Sequence, residues 1–569
     1  QLKIIFRVDE GQRSFVGDVA FKGNTLFTVD TLRDKVALKA GDPYSISRVK
    51  IEANDVLQQY YDAGYATASV LARTYEMGGE RMRVIYEIAE GPQVQINRIF
   101  INEIGARQRT IGGRVRNYLR FKEGALLKNE ELSKSEQDLY GSGAFRRVQV
   151  RTESLGEETT TGDVKRNVFV DVEEGKSRVL VYGAGFQSDE GPRGIFEISD
   201  PNIFGRLTTA GLRVRASPRN LLGQLSYTDP RPFNRHTPLL FSLLAQQQKR
   251  PAFDSTRFTA LLQVEKQLGE RALLLFRYNY DGVSVRPPSS GGQAIDFNDP
   301  LTQLDRRDRP IRLSRLSASY AFDGRDNPFD ATTGRYHTAD ATVALRAFGG
   351  NGQFFRFFTE NQSYYKLPSK AGSGIFASNL RIGLAANIGT PIDKILPNNP
   401  TDLDRKLIPI TERFFSGGST TLRGYNFELA GPRNCLQVVP DPDDATKKVV
   451  KDCQTMATAA GSNPLFQLVG GNALIVGNME LRQPVYRQIS LVGFYDLGNV
   501  FAKIDDIAPK NFTHSIGLGI RVKTPLGPLR LDLGYLASDP YNGTGLRPDL
   551  HPDFKAPRLR WHISFGQAF

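Results

Sequence analysis

The sequence predicts α+β modules of β-α-α-β-β order followed by an all-β, 16-stranded antiparallel transmembrane barrel. Three observations carry that prediction. Short acidic strings with glycine, Asp9-Glu-Gly11, Glu90-Gly-Pro92 and Glu173-Glu-Gly175, each close an alternating strand and recur about every 80 residues, the size of one small domain. From Arg178 onward helical periodicity stops and strands of about ten residues with two-residue alternation take over. Connections between those strands alternate between short and long, as in barrels with tight turns on one side of the membrane and long loops on the other.

In the first complete module a strand ending in Phe21-Lys-Gly-Asn24 precedes helices expected over 29–37 and 47–63, then strands near 66–76 and 81–88. The second runs from a strand at 94–102 through helices at 110–119 and 129–142 to strands at 148–153 and 167–172. The exits of the second helices correspond. Leu57-Gln-Gln-Tyr-Tyr-Asp-Ala-Gly-Tyr65 and Leu139-Tyr-Gly-Ser-Gly-Ala-Phe145 place Gly64 and Gly143 where a left-handed cap fits, with an aromatic following into the core. The chain opens inside a strand-like Leu2-Lys-Ile-Ile-Phe-Arg-Val8, so residues 1–11 read as the last strand of a truncated upstream module. The expected divisions are then 12–91 and 92–175 for two complete modules and 176–569 for the barrel, with an in-folded outer loop at 390–471.

The barrel strands are expected from 178–187 to 557–569, and every long connection (281–310, 390–471, 501–512, 536–556) follows an odd-numbered strand. A miscounted strand would scramble that order. Faces separate clearly near the end. Leu559, Trp561, Ile563, Phe565 and Phe569 alternate with Arg560, His562, Ser564 and Gly566, and Leu529, Leu531, Leu533 and Tyr535 with Arg530, Asp532 and Gly534. The apolar sets are expected to face lipid and the polar sets the lumen.

Composition excludes several classes. No run of 18 apolar residues occurs, so a spanning helix is ruled out, whereas a spanning barrel is not. The net charge of +13 comes from 74 Lys and Arg interspersed with 61 Asp and Glu, a spread that forms no nucleic-acid-binding patch. The five histidines stand singly, which argues against a metal centre. Gly517-Leu-Gly-Ile-Arg-Val lies in an alternating strand and opens no helix, so it reads as structural rather than as a dinucleotide motif. No serine, histidine and acid stand in a nucleophile-like context, and no enzyme activity or cofactor is expected.

One stretch stands out within the long loop: Phe414-Phe-Ser-Gly-Gly-Ser-Thr-Thr-Leu-Arg-Gly-Tyr-Asn-Phe-Glu-Leu-Ala-Gly-Pro432. Its glycines and hydroxyls exclude a packed strand or helix, yet four aromatics are more than a solvated loop carries, so it is expected to be enclosed. An enclosed Arg423 requires a carboxylate. Glu480 and Asp496 are the two candidates. Cys435 and Cys453, the only cysteines, lie in the polar insertion 434–463 and are expected to form a disulfide in an oxidising compartment.

The repeated modules resemble the polypeptide-transport-associated (POTRA) domain. Together with Leu422-Arg-Gly-Tyr425, Gly477 to Pro484, Phe494-Tyr-Asp-Leu-Gly498, Gly517 to Pro528 and the terminal aromatic, they make the chain similar to BamA and TamA-type outer-membrane assembly factors. The resemblance implies an outer loop tucked into the barrel and held there by Arg423, Gly424 and Tyr425, with Asp496 as the wall partner of Arg423 and Glu480 as a second. Arg482, on the same face as Glu480, is a competing local partner. It also implies a seam between first and last strands that opens laterally, with Gly183 and Gly185 on one side and Gly566 and Phe569 on the other, where small residues leave few cross-strand contacts.

The implied activity is insertion of β-barrel proteins into the bacterial outer membrane, with the N-terminal modules in the periplasm. The implied partners are unfolded outer-membrane proteins, periplasmic or lipoprotein accessory subunits and outer-membrane lipids, with no nucleic acid. A dedicated two-partner-type secretion pore for a β-rich exoprotein is the alternative.

Overall fold

Alternation and helical stripes in the first third fold into two three-stranded sheets packed on helices. The computed structural model describes residues 13–105, 108–155, 164–176, 178–235, 237–286, 311–328, 330–368, 374–389, 408–440, 448–452, 465–468, 470–524, 527–538 and 558–565. The expected upstream strand at 1–11 lies outside them. The chain divides into two compact units, one of residues 1–178 with 200–208, the other of 179–199 with 209–569.

In the first unit the first module comprises β1 (Phe15–Lys22), α1 (Val29–Arg33), α2 (Ile46–Asp62), β2 (Ser69–Gly78) and β3 (Arg81–Ala89). Strand β3 is central, parallel to β1 and antiparallel to β2. The second module repeats the arrangement with β4 (Val94–Ile104), α3 (Gly112–Tyr118), α4 (Asn129–Gly141), β5 (Phe145–Ser154) and a central β6 (Val164–Glu174). Ser45 caps α2 by accepting from the Arg48 amide, and the helix buries Val49, Ala53, Val56 and Tyr60 along one stripe beside Val84 and Tyr86. Gly64 at φ +91° and Gly143 at φ +72° follow the second helices in the left-handed conformation expected of a cap.

Helix α1 is shorter than its apolar pattern predicts. After Arg33 the amides of Lys35 and Val36 bond three residues back, to Leu32 and Arg33, so the last turn tightens while Val36 and Leu38 still reach the core. The acidic string that marks each repeat has a structural task. The Glu90 carboxylate accepts from the amides of Thr25 (2.6 Å) and Leu26 (2.9 Å) and from the Tyr60 hydroxyl (3.0 Å). Glu174 does the same for the amides of Arg109 (2.8 Å) and Thr110 (2.6 Å). The end of the central strand is thereby tied to the loop that leads into the first helix. Partial burial pushes the Glu90 carboxyl up, but these hydrogen bonds outweigh it and leave the group below its ordinary range.

The second unit is a closed antiparallel barrel of 16 strands. Its first eleven are β7 (Val179–Gln187), β8 (Gly191–Asp200), β9 (Thr209–Ala216), β10 (Asn220–Asp229), β11 (Leu239–Lys249), β12 (Asp254–Gln267), β13 (Ala272–Arg286), β14 (Ile311–Asp323), β15 (Gly334–Ala344), β16 (Phe354–Leu367) and β17 (Gly374–Asn387). A small sheet of β18 (Arg433–Pro440), β19 (Lys448–Asp452) and β20 (Leu465–Leu468) then interrupts the long loop, where the sequence suggests only a polar insertion. The barrel resumes with β21 (Ala473–Tyr486), β22 (Ile489–Phe501), β23 (Thr513–Thr524), β24 (Gly527–Ser538) and β25 (Leu559–Phe565). Two-residue alternation sets the faces as expected. Leu559, Trp561 and Ile563 are exposed on the outer surface, whereas Asp532, His562 and Ser564 are buried within.

Candidate functional site

The long loop returns into the barrel because its own residues form a small core there. Ile408, Phe414, Leu422, Tyr425 and Ala430 pack with wall residues that include Leu313, Phe354, Leu474, Val476, Val500 and Leu536. Phe414 and Gly471 exchange both backbone hydrogen bonds, at 2.8 and 3.0 Å, and the Ala430 amide donates to Ser416 at 3.0 Å, closing the loop on itself. Gly418, at φ +106°, makes the sharp turn beneath which Asp189 fits; a Cβ there would lie 2.8 Å from the carboxylate.

Arg423 is 3% exposed and saturated with partners. Its Nε and Nη2 donate to the two oxygens of Asp496 at 2.9 and 2.6 Å, its Nη1 donates to Glu480 at 2.6 Å, and its own amide donates to Asp496 at 3.1 Å. The guanidinium also stacks 3.5 Å from the ring centre of Phe494. Asp496 is wholly buried. Both candidate acids thus lie in contact with Arg423, and Arg482 donates to the other oxygen of Glu480 at 2.9 Å. Removing Arg423 from this buried group takes from Asp496 its cation, whereas Glu480 keeps Arg482, and the intact group is near balance.

Further wall residues, which the sequence does not single out, complete the seat. Asp532 stands 3.8 Å from Arg423 and is bonded by Arg521. Asn478 donates to Asp496 at 2.8 Å and to the Thr421 carbonyl, and Arg381 donates to the Thr420 carbonyl at 2.7 Å. Asp532 and Asn478 carry the lumen parity that identifies Glu480 and Asp496, and that parity is the signal by which they could have been found. Tyr425 is buried in the loop core, and Gly424 fits against Ser515 and Leu536, where a Cβ would approach within 2.5 Å and 3.1 Å.

The tip of the loop also reaches both strands of the barrel seam. Ser419 donates its amide (2.8 Å) and hydroxyl (2.6 Å) to Asp189, in the turn after β7, and accepts from Gln187 of β7 at 3.1 Å. On β25, His562 Nε2 lies 2.9 Å from the Arg423 carbonyl, and its Nδ1 is 3.7 Å from Asp189. Ser419, Asp189 and His562 are the residue types of a nucleophilic triad, but the acid sits between the other two. The imidazole donates to a carbonyl and the hydroxyl to a carboxylate, so no base faces the serine.

Between the seam strands themselves, the described residues form two register pairs, Phe565 with Phe186 and Ser564 with Gln187. Gly185 lies against the Phe565 carbonyl and Gly183 against Ile195. Gly566, Phe569 and Cys453 lie outside the described residues, as does the side chain of Cys435, and with them the expected disulfide.

Comparison with known proteins gives one family across most of the chain. The Omp85 superfamily domain matches residues 202–569, and the POTRA family of surface antigen variable number repeats matches 14–91. Two outer membrane protein assembly factors BamA are similar in sequence. That of Nitratidesulfovibrio vulgaris is 23% identical over all of this chain and 63% of its own length, and that of Neisseria meningitidis serogroup B is 23% identical over 75% of this chain and 52% of its own. The chain thus spans less than two thirds of these relatives. The crystal structure of BamA from Haemophilus ducreyi lacking POTRA domains 1–3 has the same fold, with a TM-score of 0.69 at 16% identity over 97% of this chain and 99% of that one.

Proposed function

The chain belongs to the Omp85 superfamily, and from that premise we propose that it inserts β-barrel proteins into the bacterial outer membrane. The modules lie in the periplasm and receive unfolded outer-membrane proteins or accessory subunits by strand addition to their sheet edges. The barrel offers a strand edge at its seam on which the client pairs its own strands. The assembly-factor names of its relatives support this reading. The observation that carries it is the in-folded loop, whose Ser419 side chain and Arg423 carbonyl are bonded to the two strands of the seam from within. Opening such a seam requires that loop to move.

The chemistry needs no cofactor and no enzymatic step. A client gains free energy by burying apolar surface in lipid and by satisfying its strand edges, so the assembly factor has only to lower the barrier.

Phe186 and Phe565 are direct backbone partners and provide the test. Cysteines at both positions, with Cys435 and Cys453 replaced by serine, are oxidised in protein reconstituted in vesicles, and insertion of an unfolded barrel client is followed. Locking is expected to abolish insertion and reduction to restore it. Full insertion by quantitatively locked protein rejects the templating seam, and export of a client through the locked barrel points to a secretion pore instead.

A further inference from the structure

The same loop carries a second buried charge of opposite sign, eleven residues before Arg423. Glu412, in the short 3-10 turn Ile410–Glu412, is 6% exposed. Its two oxygens accept from Arg257 of β12 at 2.7 Å and from Arg315 of β14 at 2.9 Å. Asp281 of β13, wholly buried, accepts from Arg315 at 2.8 Å and from Thr259 at 2.7 Å, and lies 3.6 Å from Arg257. A third guanidinium, Arg356 of β16, covers the ring of Phe414 at 4.6 Å. The loop therefore places a carboxylate in a basic wall and, further on, a guanidinium in an acidic wall.

The positions of those walls in the ring give the arrangement its consequence. Around the barrel, β15, β16 and β17 separate β14 from β21 on one side; on the other, β25 and β7 to β11 separate β24 from β12. The second arc contains the seam. Residues 412–423 form a chord across it, one end fixed at β12 and β14, the other at β21, β22 and β24. Widening the seam moves the two flanks apart and so loads both ends of the chord.

We propose that Glu412 is a positioning residue, the far post of a cross-tie that opposes opening of the seam. The opposed charges fix the direction in which the loop seats, because reversing it would bring like charges together in low dielectric. Neutralising Glu412 leaves Arg257 and Arg315 sharing Asp281 alone, which releases one end of the tie without touching Arg423 or the seam. The inference rests on the proposed seam opening, but its measurement uses no client, so it can fail while the insertion activity stands.

Spin labels on the outer ends of β8 and β25, in protein reconstituted in vesicles, report the seam distance by double electron–electron resonance. Glu412→Gln is expected to raise the open population about tenfold, a shift of the size seen when one member of a coupled buried network is lost. Glu412→Asp is expected to retain most closure, and Glu412→Arg combined with Arg257→Glu to recover part of it. Arg257→Gln weakens the same post from the wall and serves if the loop variants fail to fold. An unchanged seam distance in folded Glu412→Gln or Arg257→Gln protein overturns the proposal, as does equal opening in Glu412→Asp.

Discussion

The backbone carbonyl of Arg423 and the imidazole Nε2 of His562 meet at 2.9 Å, which joins the centre of the in-folded loop to the last strand of the barrel. A carbonyl only accepts, so Nε2 carries the hydrogen. His562 is 3% exposed, and no water replaces it easily. Substituting His562→Ala leaves that buried carbonyl without its partner, at a cost of about 1–3 kcal/mol. Hydrogen exchange is expected to quicken at Ser188, whose amide donates to the Ile563 carbonyl across the seam at 2.8 Å. His562→Gln, which can restore a donor, should exchange more slowly than His562→Ala. Equal exchange at Ser188 in wild type and His562→Ala would show that the seam does not depend on this bond.

Arg423 and Asp496 share two side-chain hydrogen bonds and are both buried. Removing Arg423 is expected to cost about 3–5 kcal/mol locally, because Asp496 is left charged without its cation, whereas Asp496→Ala leaves Arg423 its bond to Glu480 and should cost less. Trypsin protection at Arg413, a loop site kept in every variant, reads the effect in the membrane-embedded protein. Arg423→Ala, Asp496→Ala and the double variant should be far from additive, since the second removal no longer strands a charge. Additivity across that cycle would reject direct coupling.

How much of this was legible depended on the range of the signal. Alternation is local, so it located the barrel strands, their even number and the lumen parity of Glu480 and Asp496. It also put Asp532 and His562 on the inner face, but not beside Arg423, because that neighbourhood is created by the register of β24 against β25, where Asp532 pairs with His562. Asp189 has no such signal: in Ser188-Asp-Glu-Gly191 it resembles any turn acid, and only the in-folded loop gives it Ser419. Glu412 lacks a local signal for a similar reason, its two arginine partners, Arg257 and Arg315, lying on separate strands far away in sequence. The sheet of β18 to β20 is not legible in the sequence because its short apolar runs, such as Val438-Val439 and Val449-Val450, are enclosed by Pro, Asp and Lys that read as loop.

Glu90 makes the first module sensitive to acid. Its carboxyl is held below the ordinary range by bonds present only in the folded state, so its contribution is complete above the unfolded-state pKa and disappears as pH falls through the folded one. Protection of the Thr25 and Leu26 amides, corrected for intrinsic exchange, should therefore drop on acidification. Glu90→Gln should lower that protection at neutral pH and flatten its pH dependence. A wild-type profile with no loss of protection on the acid side would contradict this role.

Gly534 of β24 allows the charge of the loop to be separated from its shape. A Cβ at this position would lie 2.3 Å from the Arg423 carbonyl oxygen and 2.7 Å from its carbon, too close for either backbone to remain where it is. The glycine does not have a left-handed φ, so alanine suits the strand itself and the strain falls on the seated loop. Gly534→Ala should lift the loop while leaving every ionic group in place, at a cost of about 1–3 kcal/mol typical of overpacking. Trypsin sensitivity is expected to rise at Arg423, together with exchange at Ser188, because the His562 bond is drawn apart. Gly493→Ala on β22, where a Cβ meets nothing within 4 Å, controls for adding a methyl group to the barrel and should be silent. Combining Gly534→Ala with Arg423→Ala, read by exchange at Ser188 because the second change removes the trypsin site, discriminates further: if both act by unseating one loop, the pair should be little worse than either alone. A protected loop in Gly534→Ala, or independent effects in the pair, would mean that the close approach of these two backbones does not hold the loop.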